Sequence, residues 1–124
     1  MPMHGVRGAT TVDADEADQL LDATRELLEA ILAANPGMHT EDIGSVIFTL
    51  TNDLCSGFPA LAARRIGWDS VPMICAREIP VPGSLPRCIR VLLHWNTDIP
   101  QSGIRHIYLR EAVKLRPDLA SHAQ

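Results

Sequence analysis

The stretch Arg87-Cys88-Ile89-Arg90-Val91-Leu92-Leu93-His94-Trp95 decides the fold of this chain. Its apolar residues run almost without interruption, which is typical of a strand inside a sheet. We therefore predict that it is the central strand. Arg90 within this strand needs an anionic partner, because burying an unpaired charge is costly. That partner is either a bound ligand or a carboxylate of the chain, such as Glu78.

Outward from this strand, the sequence predicts four more strands and two helices. The strands are expected over 3–12, 45–51, 71–75 and 104–109. A long amphipathic helix is predicted to begin with Asp13 as its N-cap and Glu16 three residues later, and to end at Asn35-Pro36-Gly37. A short helix is predicted over 58–65, with Pro59 in its first turn. The fold class is therefore α+β (mixed α/β), with a mixed sheet packed by one long and one short helix.

Size and composition limit the possible functions. The 124 residues of the chain suit one domain with one core, expected over 1–124. A net charge of −4 disfavours nucleic acid and membranes as partners. Three cysteines without C-x-x-C spacing disfavour a disulfide framework and favour a reducing, cytoplasmic location. Signal-peptide features are missing at the N-terminus, and no apolar run reaches the roughly 18 residues of a membrane span.

The basic residues are unusual, because ten of the eleven are arginine and only Lys114 is lysine. Guanidinium groups bind carboxylate and phosphate through two parallel hydrogen bonds. Codon bias in a GC-rich genome would explain the same imbalance. Arg7 lies close to Gly5 and Gly8 in the first strand, and a strand glycine often marks the close approach of a ligand or of another backbone. A solvent-facing arginine on an edge strand is the structural alternative.

The sequence lacks motifs for metal, phosphate or covalent chemistry. The five histidines show no i+3 or i+4 pair, and neither a glycine-rich phosphate loop nor a G-x-S-x-G motif occurs. The remaining candidates are Arg90 and Arg7, with Cys75, Glu78 and Tyr108 as neutral or acidic partners. Such a set suits a small dianion held by several guanidinium groups, and it does not suit hydrolysis. A core position for Tyr108 is equally compatible with its spacing.

Several segments resemble one enzyme family. Residues Val6-Arg7-Gly8-Ala9-Thr10-Thr11-Val12 resemble the N-terminal R-G-A-T-T-V signature of trimeric, α/β-barrel-like monofunctional chorismate mutases. The other matching segments keep their order and cover nearly the whole chain. They are Thr51-x-Asp53-Leu54, Phe58-Pro59-Ala60 followed by Arg64, Gly67-Trp68-x-x-Val71-Pro72, Glu78, Pro86-Arg87-Cys88-Ile89-Arg90-Val91, Asn96-Thr97-Asp98, His106-x-Tyr108-Leu109 and Leu115-Arg116-Pro117-Asp118-Leu119.

The resemblance implies a homotrimeric pseudo-barrel with three active sites in clefts between subunits. It also implies the cofactor-free and metal-free Claisen rearrangement of chorismate to prephenate, in the shikimate pathway of aromatic amino-acid biosynthesis. The carboxy-terminal tail from about residue 117 is expected to be flexible, and Arg116 to help close over bound ligand. Two other functions stay open: a trimeric imine deaminase-like enzyme, and a non-catalytic sensor of small carboxylates.

Residue roles are carried over by position. Arg90 resembles the arginine that contacts the ether oxygen and a carboxylate, whereas Arg7 and Tyr108 resemble the residues that hold the side-chain carboxylate. Glu78 and the thiol or backbone of Cys75 would address the ring hydroxyl. The neighbouring subunit would contribute Phe58 and Arg64. The remaining members of the predicted substrate-binding set are Ala60, Ile74, Leu115 and Arg116.

Two positions depart from the pattern of the family. Leu61 stands where some members carry lysine near the entrance, and Ile74 stands where some carry threonine. Both are expected at the edge of the cleft, so we expect an altered affinity or entry rate and retained activity. Alternatively, Ile74 contributes only its backbone.

Overall fold

The computed structural model describes residues 1–115. The predicted tail from about residue 117 and the predicted site residue Arg116 lie outside this part of the chain. The helices and strands, in chain order, are β1 (Met3–Thr11), α1 (Ala17–Ala34), β2 (Ile43–Leu50), α2 (Pro59–Arg65), β3 (Met73–Arg77), β4 (Cys88–Asn96) and β5 (Ile107–Tyr108). Short 3-10 helices cover Thr40–Asp42, Gln101–Gly103 and Arg110–Lys114.

The five strands form one mixed sheet in the order β3-β2-β4-β1-β5. Strand β4 is antiparallel to both of its neighbours, β1 and β2. The outer pairs, β1 with β5 and β2 with β3, are parallel. The predicted central position of the apolar strand is therefore confirmed, as is the mixed sheet.

Both α-helices pack on one face of the sheet. On this face, the alternate β4 residues Ile89, Val91, Leu93 and Trp95 are at most 3% exposed. Val91, Leu93 and Trp95 belong to the same core cluster as Leu27 of α1, and Ile89 belongs to a second cluster with Leu20 of that helix. On the opposite face, which we call the open face, β4 carries Arg90, whose side chain is 46% exposed. Arg90 is thus not a buried charge, because helices cover only one face of this apolar strand.

Gly8 marks the place where α1 approaches the sheet. A Cβ atom added there would lie 2.9 Å from Ile31 Cδ1, 3.1 Å from Leu27 Cδ1 and 3.2 Å from Val91 Cγ1. These contacts are closer than ordinary van der Waals packing. The glycine beside Arg7 therefore accommodates the long helix on the core side of β1, and no close approach of a ligand is needed to explain it.

The start of α1 differs from the prediction. The helix begins at Ala17, and its N-cap residue is Glu16, which makes no side-chain capping bond. Asp13 is therefore not the cap. Asp15 has turned away from the helix, because its carboxylate accepts hydrogen bonds of 3.0 Å from the backbone N–H groups of Cys55 and Ser56. A contact 40 residues away has replaced the local cap.

The predicted end of α1 is confirmed, because Asn35 is its C-cap residue. The buried Asn35 side chain joins this end to the segment before β5. Its Nδ2 donates to the carbonyl oxygens of Ile31 and Arg105 at 2.9 and 3.0 Å, and its Oδ1 accepts from the Arg105 N–H at 2.9 Å. One side chain thus satisfies backbone groups of two elements that are distant in sequence.

Strand β5 has only two residues, where six were predicted. It pairs with β1 through Gly8 and Ala9. Just before that pairing, the backbone N–H of Arg7 donates to Nδ1 of the His106 ring at 2.9 Å. A side chain thus takes the place of a strand hydrogen bond, so the regular pairing begins only at Ile107.

Candidate functional site

A cavity of about 310 Å³ lies on the open face of the sheet. Strands β1, β2 and β4 form its floor, and residues that follow β3 or belong to β5 and its C-terminal segment form its sides. Its lining residues are Arg7, Gly8, Ala9, Ile47, Thr49, Glu78, Arg90, Val91, Leu92, Tyr108 and Leu115. The floor is mostly apolar, and the charged groups stand around it.

Two arginines share this cavity because β1 and β4 are neighbours. Arg90 pairs with Ala9 across the two strands, and Arg7 pairs with Leu92. Arg7 is therefore the diagonal neighbour of Arg90, at a backbone separation of about 7–8 Å. Strand alternation directs both side chains to the open face. Two guanidinium groups that line one cavity suit a ligand with two carboxylates.

Glu78 is the acidic member of the site. Its backbone N–H donates to the carbonyl of Leu50 at 3.0 Å, which holds Glu78 beside the end of β2. Its Oε2 lies 3.9 Å from Arg90 Nε, beyond hydrogen-bond length. With side chains that are 46% and 23% exposed, the pair contributes little to stability. The hydrogen-bond donors of Arg90 are therefore not tied up by Glu78.

Tyr108 and Leu115, which flank the 3-10 helix over Arg110–Lys114 in sequence, line one end of the cavity. Tyr108 lies opposite Ala9 and is 8% exposed. It packs with Ala9, Cys88 and Ala112, with Leu115 against the same cluster. This end is thus an apolar wall to which Tyr108 contributes a hydroxyl group.

Cys88 lies in this wall, and its thiol is not a reactive group of the site. Burial raises its pKa, and the nearby Arg90 guanidinium lowers the pKa by less than burial raises it. Cys88 therefore stays a neutral thiol near pH 7, in keeping with its 1% exposure.

The cavity thus gathers five of the predicted site residues, which are Arg7, Glu78, Arg90, Tyr108 and Leu115. Cys75 lies elsewhere. It pairs with the buried Phe48, and it packs against the helix-covered core. In the single chain, the Cys75 side chain and Arg90 therefore lie on opposite faces of the sheet.

The other predicted residues lie outside the cavity of this single chain. Ile74 is on the open face opposite Ile47, and it is 63% exposed. Ala60 is buried in the core at 6% exposure, whereas Phe58 is 69% exposed and Arg64 is also exposed. Phe58 immediately precedes α2, and Arg64 lies near its end. These two side chains face away from the core of their own chain.

Besides Gly8 and Val91, which belong to the helix-covered face, sequence reasoning missed four cavity residues of the open face, namely Ala9, Ile47, Thr49 and Leu92. Each alternates with buried core residues, so the period of two along each strand was the available signal. The face that each residue occupies depends on which strands pair and in what register. That register could not be predicted from the sequence of this chain.

A network of hydrogen bonds holds the segment over residues 51–57, which leads to Phe58. Arg77 Nη1 donates to the carbonyl oxygens of Thr51 and Leu54 at 2.8 and 2.7 Å. The Asp53 carboxylate accepts from the backbone N–H of Arg87 at 3.0 Å, immediately before β4. The segment is therefore tied to both β3 and the start of the central strand.

Asp15 ties the same segment to the start of α1, and its pKa is lowered. The Ser56 hydroxyl lies near this carboxylate but outside hydrogen-bond geometry. That hydroxyl and the backbone N–H groups of Cys55 and Ser56 favour the charged form over the neutral one. The charged carboxylate is thus the form that binds the segment.

Within residues 1–115, no group of three or more His, Cys, Asp or Glu side chains is placed to hold a metal ion. In the same part of the chain, no helix has the length and apolar character to cross a lipid bilayer.

Comparisons with known proteins point to one family. The family model described as chorismate mutase type I matches residues 3–119. The chain is 59% identical over 119 residues to chorismate mutase AroH of Thermus thermophilus, which covers 96% of this chain and 98% of that protein. It is 46% identical over 123 residues to chorismate mutase AroH of Bacillus subtilis (strain 168), with 97% and 94% covered. Among solved structures, a chorismate mutase from Clostridium thermocellum is similar, with a TM-score of 0.85 and 48% identity over 87% of this chain and 96% of that one.

Proposed function

Because this chain belongs to the chorismate mutase type I family, we propose that it is a chorismate mutase, an isomerase that converts chorismate to prephenate in aromatic amino-acid biosynthesis. The observation that carries the proposal is the cavity on the open face. There, Arg7 and Arg90 stand over an apolar floor beside Glu78 and Tyr108. This arrangement binds a ring-shaped dicarboxylate and holds polar groups around it.

The rearrangement of chorismate needs few catalytic groups. In a Claisen rearrangement one C–O bond of an ether breaks while one C–C bond forms, so neither a nucleophile nor a base is required. The flexible side chain of chorismate must instead fold over its ring, and holding that conformer lowers the barrier. A cavity with an apolar floor and two guanidinium groups on adjacent strands is suited to holding chorismate in this folded conformer.

Arg90 is proposed to stabilise the transition state. As the ether bond breaks, negative charge grows on the ether oxygen, and a fixed donor there favours the transition state over the bound substrate. One such donor contributes roughly 3–4 kcal/mol. Since the guanidinium lies 3.9 Å from Glu78 and forms no hydrogen bond with it, its donors can turn to the substrate.

The other residues are proposed to hold the substrate in place. Arg7 and the Tyr108 hydroxyl would bind the side-chain carboxylate. Glu78 would accept a hydrogen bond from the ring hydroxyl, together with a backbone group of Cys75. Leu115 would pack against the ligand, and Arg116, which lies outside the described residues, would close over it as a lid residue does.

The enzyme is proposed to act as a homotrimer with its active sites between subunits. The surface of the single chain supports this, because it exposes large apolar side chains that water disfavours. Phe58 is 69% exposed, Ile74 63%, Ile79 80% and Val81 58%. In a trimer, Phe58 and Arg64 would complete the cleft of the neighbouring subunit, with Ala60 close to its rim. We also propose a cytoplasmic location, supported by three cysteines that form no disulfide.

The direct test is a spectrophotometric assay of chorismate consumption by the purified wild-type protein. We expect turnover at micromolar or lower enzyme. Arg90→Lys, which keeps the charge but loses the planar fork, should lower kcat/KM by about 100-fold or more. Arg25→Lys is the matched control, because Arg25 lies on α1 and forms exposed ion pairs with Asp22 and Glu29.

Each other outcome of this assay has a definite meaning. No acceleration of chorismate loss by the wild type rejects the proposal. Turnover of a 2-iminoacid in place of chorismate would identify a deaminase, and tight prephenate binding without turnover would identify a sensor. A near-wild-type rate for Arg90→Lys would leave the proposed activity intact but would refute the proposed role of Arg90 in stabilising the transition state.

A further inference from the structure

Thr49 lies on β2, between the strand that carries Arg90 and the strand that leads to Glu78. In the sheet it pairs with Arg90 on β4 at one side and with Ala76 on β3 at the other. Its side chain lines the cavity. Glu78 follows Ala76 by two residues and is bound through its N–H to Leu50, the next residue of β2. Thr49 is therefore flanked by the two charged residues, Arg90 and Glu78.

The hydroxyl oxygen of Thr49 is buried, yet within residues 1–115 it has no hydrogen-bond partner. A buried hydroxyl without a partner is unfavourable, and native proteins hold few of them. This oxygen is shielded from solvent, so the candidate partners are the cavity side chains carried by the neighbouring strands or just after them.

Arg90 and Glu78 are the neighbouring groups with hydrogen-bond capacity to spare. Their closest atoms lie 3.9 Å apart, too far for a hydrogen bond between them. A hydroxyl can accept a hydrogen bond and donate one at the same time. Thr49 can thus accept from the Arg90 guanidinium while it donates to the Glu78 carboxylate, joining two groups that do not bond directly.

We propose that Thr49 is a positioning residue, whose hydroxyl orients Arg90 and Glu78 when substrate is bound. Binding turns guanidinium donors of Arg90 towards the ether oxygen, and the Thr49 hydroxyl restrains that side chain from below. The role rests on the proposed chorismate mutase activity. Since the restraint acts on a group that stabilises the transition state, its loss affects kcat more than KM.

The test compares three variants of the full chain with the wild type in the chorismate assay. Thr49→Val removes the hydroxyl and keeps the branched shape that strands favour, whereas Thr49→Ser keeps the hydroxyl. Thr10→Val is the matched control. Its hydroxyl is also buried without a partner among the described residues, but it pairs with Ile89 on the helix-covered face.

We expect Thr49→Val to lower kcat by about tenfold, with KM changed less than threefold. Thr49→Ser and Thr10→Val should stay within about threefold of the wild type in both constants. If Thr49→Val does not fold, as judged by circular dichroism, the same ranking is measured with Thr49→Ala against Thr49→Ser. A lower kcat for the alanine variant then supports the role.

The contrary results are distinct. A Thr49→Val enzyme as fast as the wild type overturns the role of Thr49 and leaves the proposed function intact. Equal losses of kcat in Thr49→Val and Thr49→Ser, or in Thr49→Val and Thr10→Val, also overturn it. Such losses would come from altered packing and not from the missing Thr49 hydroxyl. A wild type that does not turn over chorismate overturns both proposals.

Discussion

Replacing Gly8 by alanine tests whether α1 sets the position of the first strand. The added Cβ would lie 2.9 Å from Ile31 Cδ1 and 3.1 Å from Leu27 Cδ1. Real Cβ atoms essentially never come within 3.0 Å of a heavy atom outside their own residue and its chain neighbours, so something must shift. Leu27 and Ile31 are fully buried, and their ends therefore have little free space to move into.

The expected cost is that of overpacking a dense core, about 1–3 kcal/mol in the free energy of unfolding. For a chain of 124 residues, an unfolding entropy of roughly 2.1 cal/mol/K per residue makes 1 kcal/mol equal to about 4 °C in Tm. Gly8→Ala should therefore lower Tm by about 4–12 °C. It should also lower kcat/KM, because the flanking Arg7 and Ala9 both line the cavity.

The assay is thermal unfolding followed by circular dichroism, at one protomer concentration for all proteins because assembly makes Tm depend on concentration. Gly5→Ala is the control in the same strand. Its added Cβ would meet only Leu92 Cδ1, at an ordinary 3.6 Å. We expect it to be neutral or slightly stabilising, since alanine restricts the unfolded chain more than glycine does.

Two results would refute this account of Gly8. If Gly8→Ala melts within about 2 °C of the wild type, α1 does not hold β1 at the stated distance. If Gly5→Ala is destabilised as much as Gly8→Ala, the loss comes from changing any glycine of β1, and the contact with Ile31 and Leu27 does not explain it.

Two further predictions concern assembly and pH. Arg64→Ala and Arg90→Lys subunits, each impaired alone, should regain activity when they are unfolded and refolded together. The reason is that mixed trimers would contain some clefts with both arginines. Activity no higher than the mean of the two separate proteins would argue against shared clefts. In the folded protein, the pKa of Asp15 lies below its ordinary value of 3.8. Its contribution to stability is therefore fully present above pH 3.8 and is lost as the pH falls through the pKa of the folded state. The stability advantage of the wild type over Asp15→Asn, measured by urea unfolding at several pH values, should shrink below about pH 4, and an advantage unchanged down to about pH 2 would contradict this assignment.

Much of the fold followed from pattern and spacing. The apolar run of β4 indicated the central strand, and the 3.6-residue period of α1 indicated a helix with one buried face. The end of that helix at Asn35 was also predicted, because Asn-Pro-Gly does not continue a helix. Its start was not, since Asp15 binds backbone groups of Cys55 and Ser56 that only the folded chain brings near it.

The candidate site was predicted in part. Arg7, Arg90, Glu78 and Tyr108 were chosen from residue type and family resemblance, and the structure brings all four to one cavity. Thr49 was missed because nothing in its own sequence neighbourhood distinguishes it. Its proposed role depends on its pairing with Arg90 on a strand about 40 residues later, which is a property of sheet register.

The amino-acid sequence by itself determined the fold class, the central strand, the family and the pair of arginines. These follow from local periodicity, from residue types and from the ordered segments that resemble one family. Only the tertiary structure decided which face of each strand meets the helices. It placed the partly buried Cys75 against the core and Thr49 opposite Arg90 on the adjacent strand. The physical reason is that side chains alternate between two faces, so a shift of one residue in pairing would exchange the core for the site.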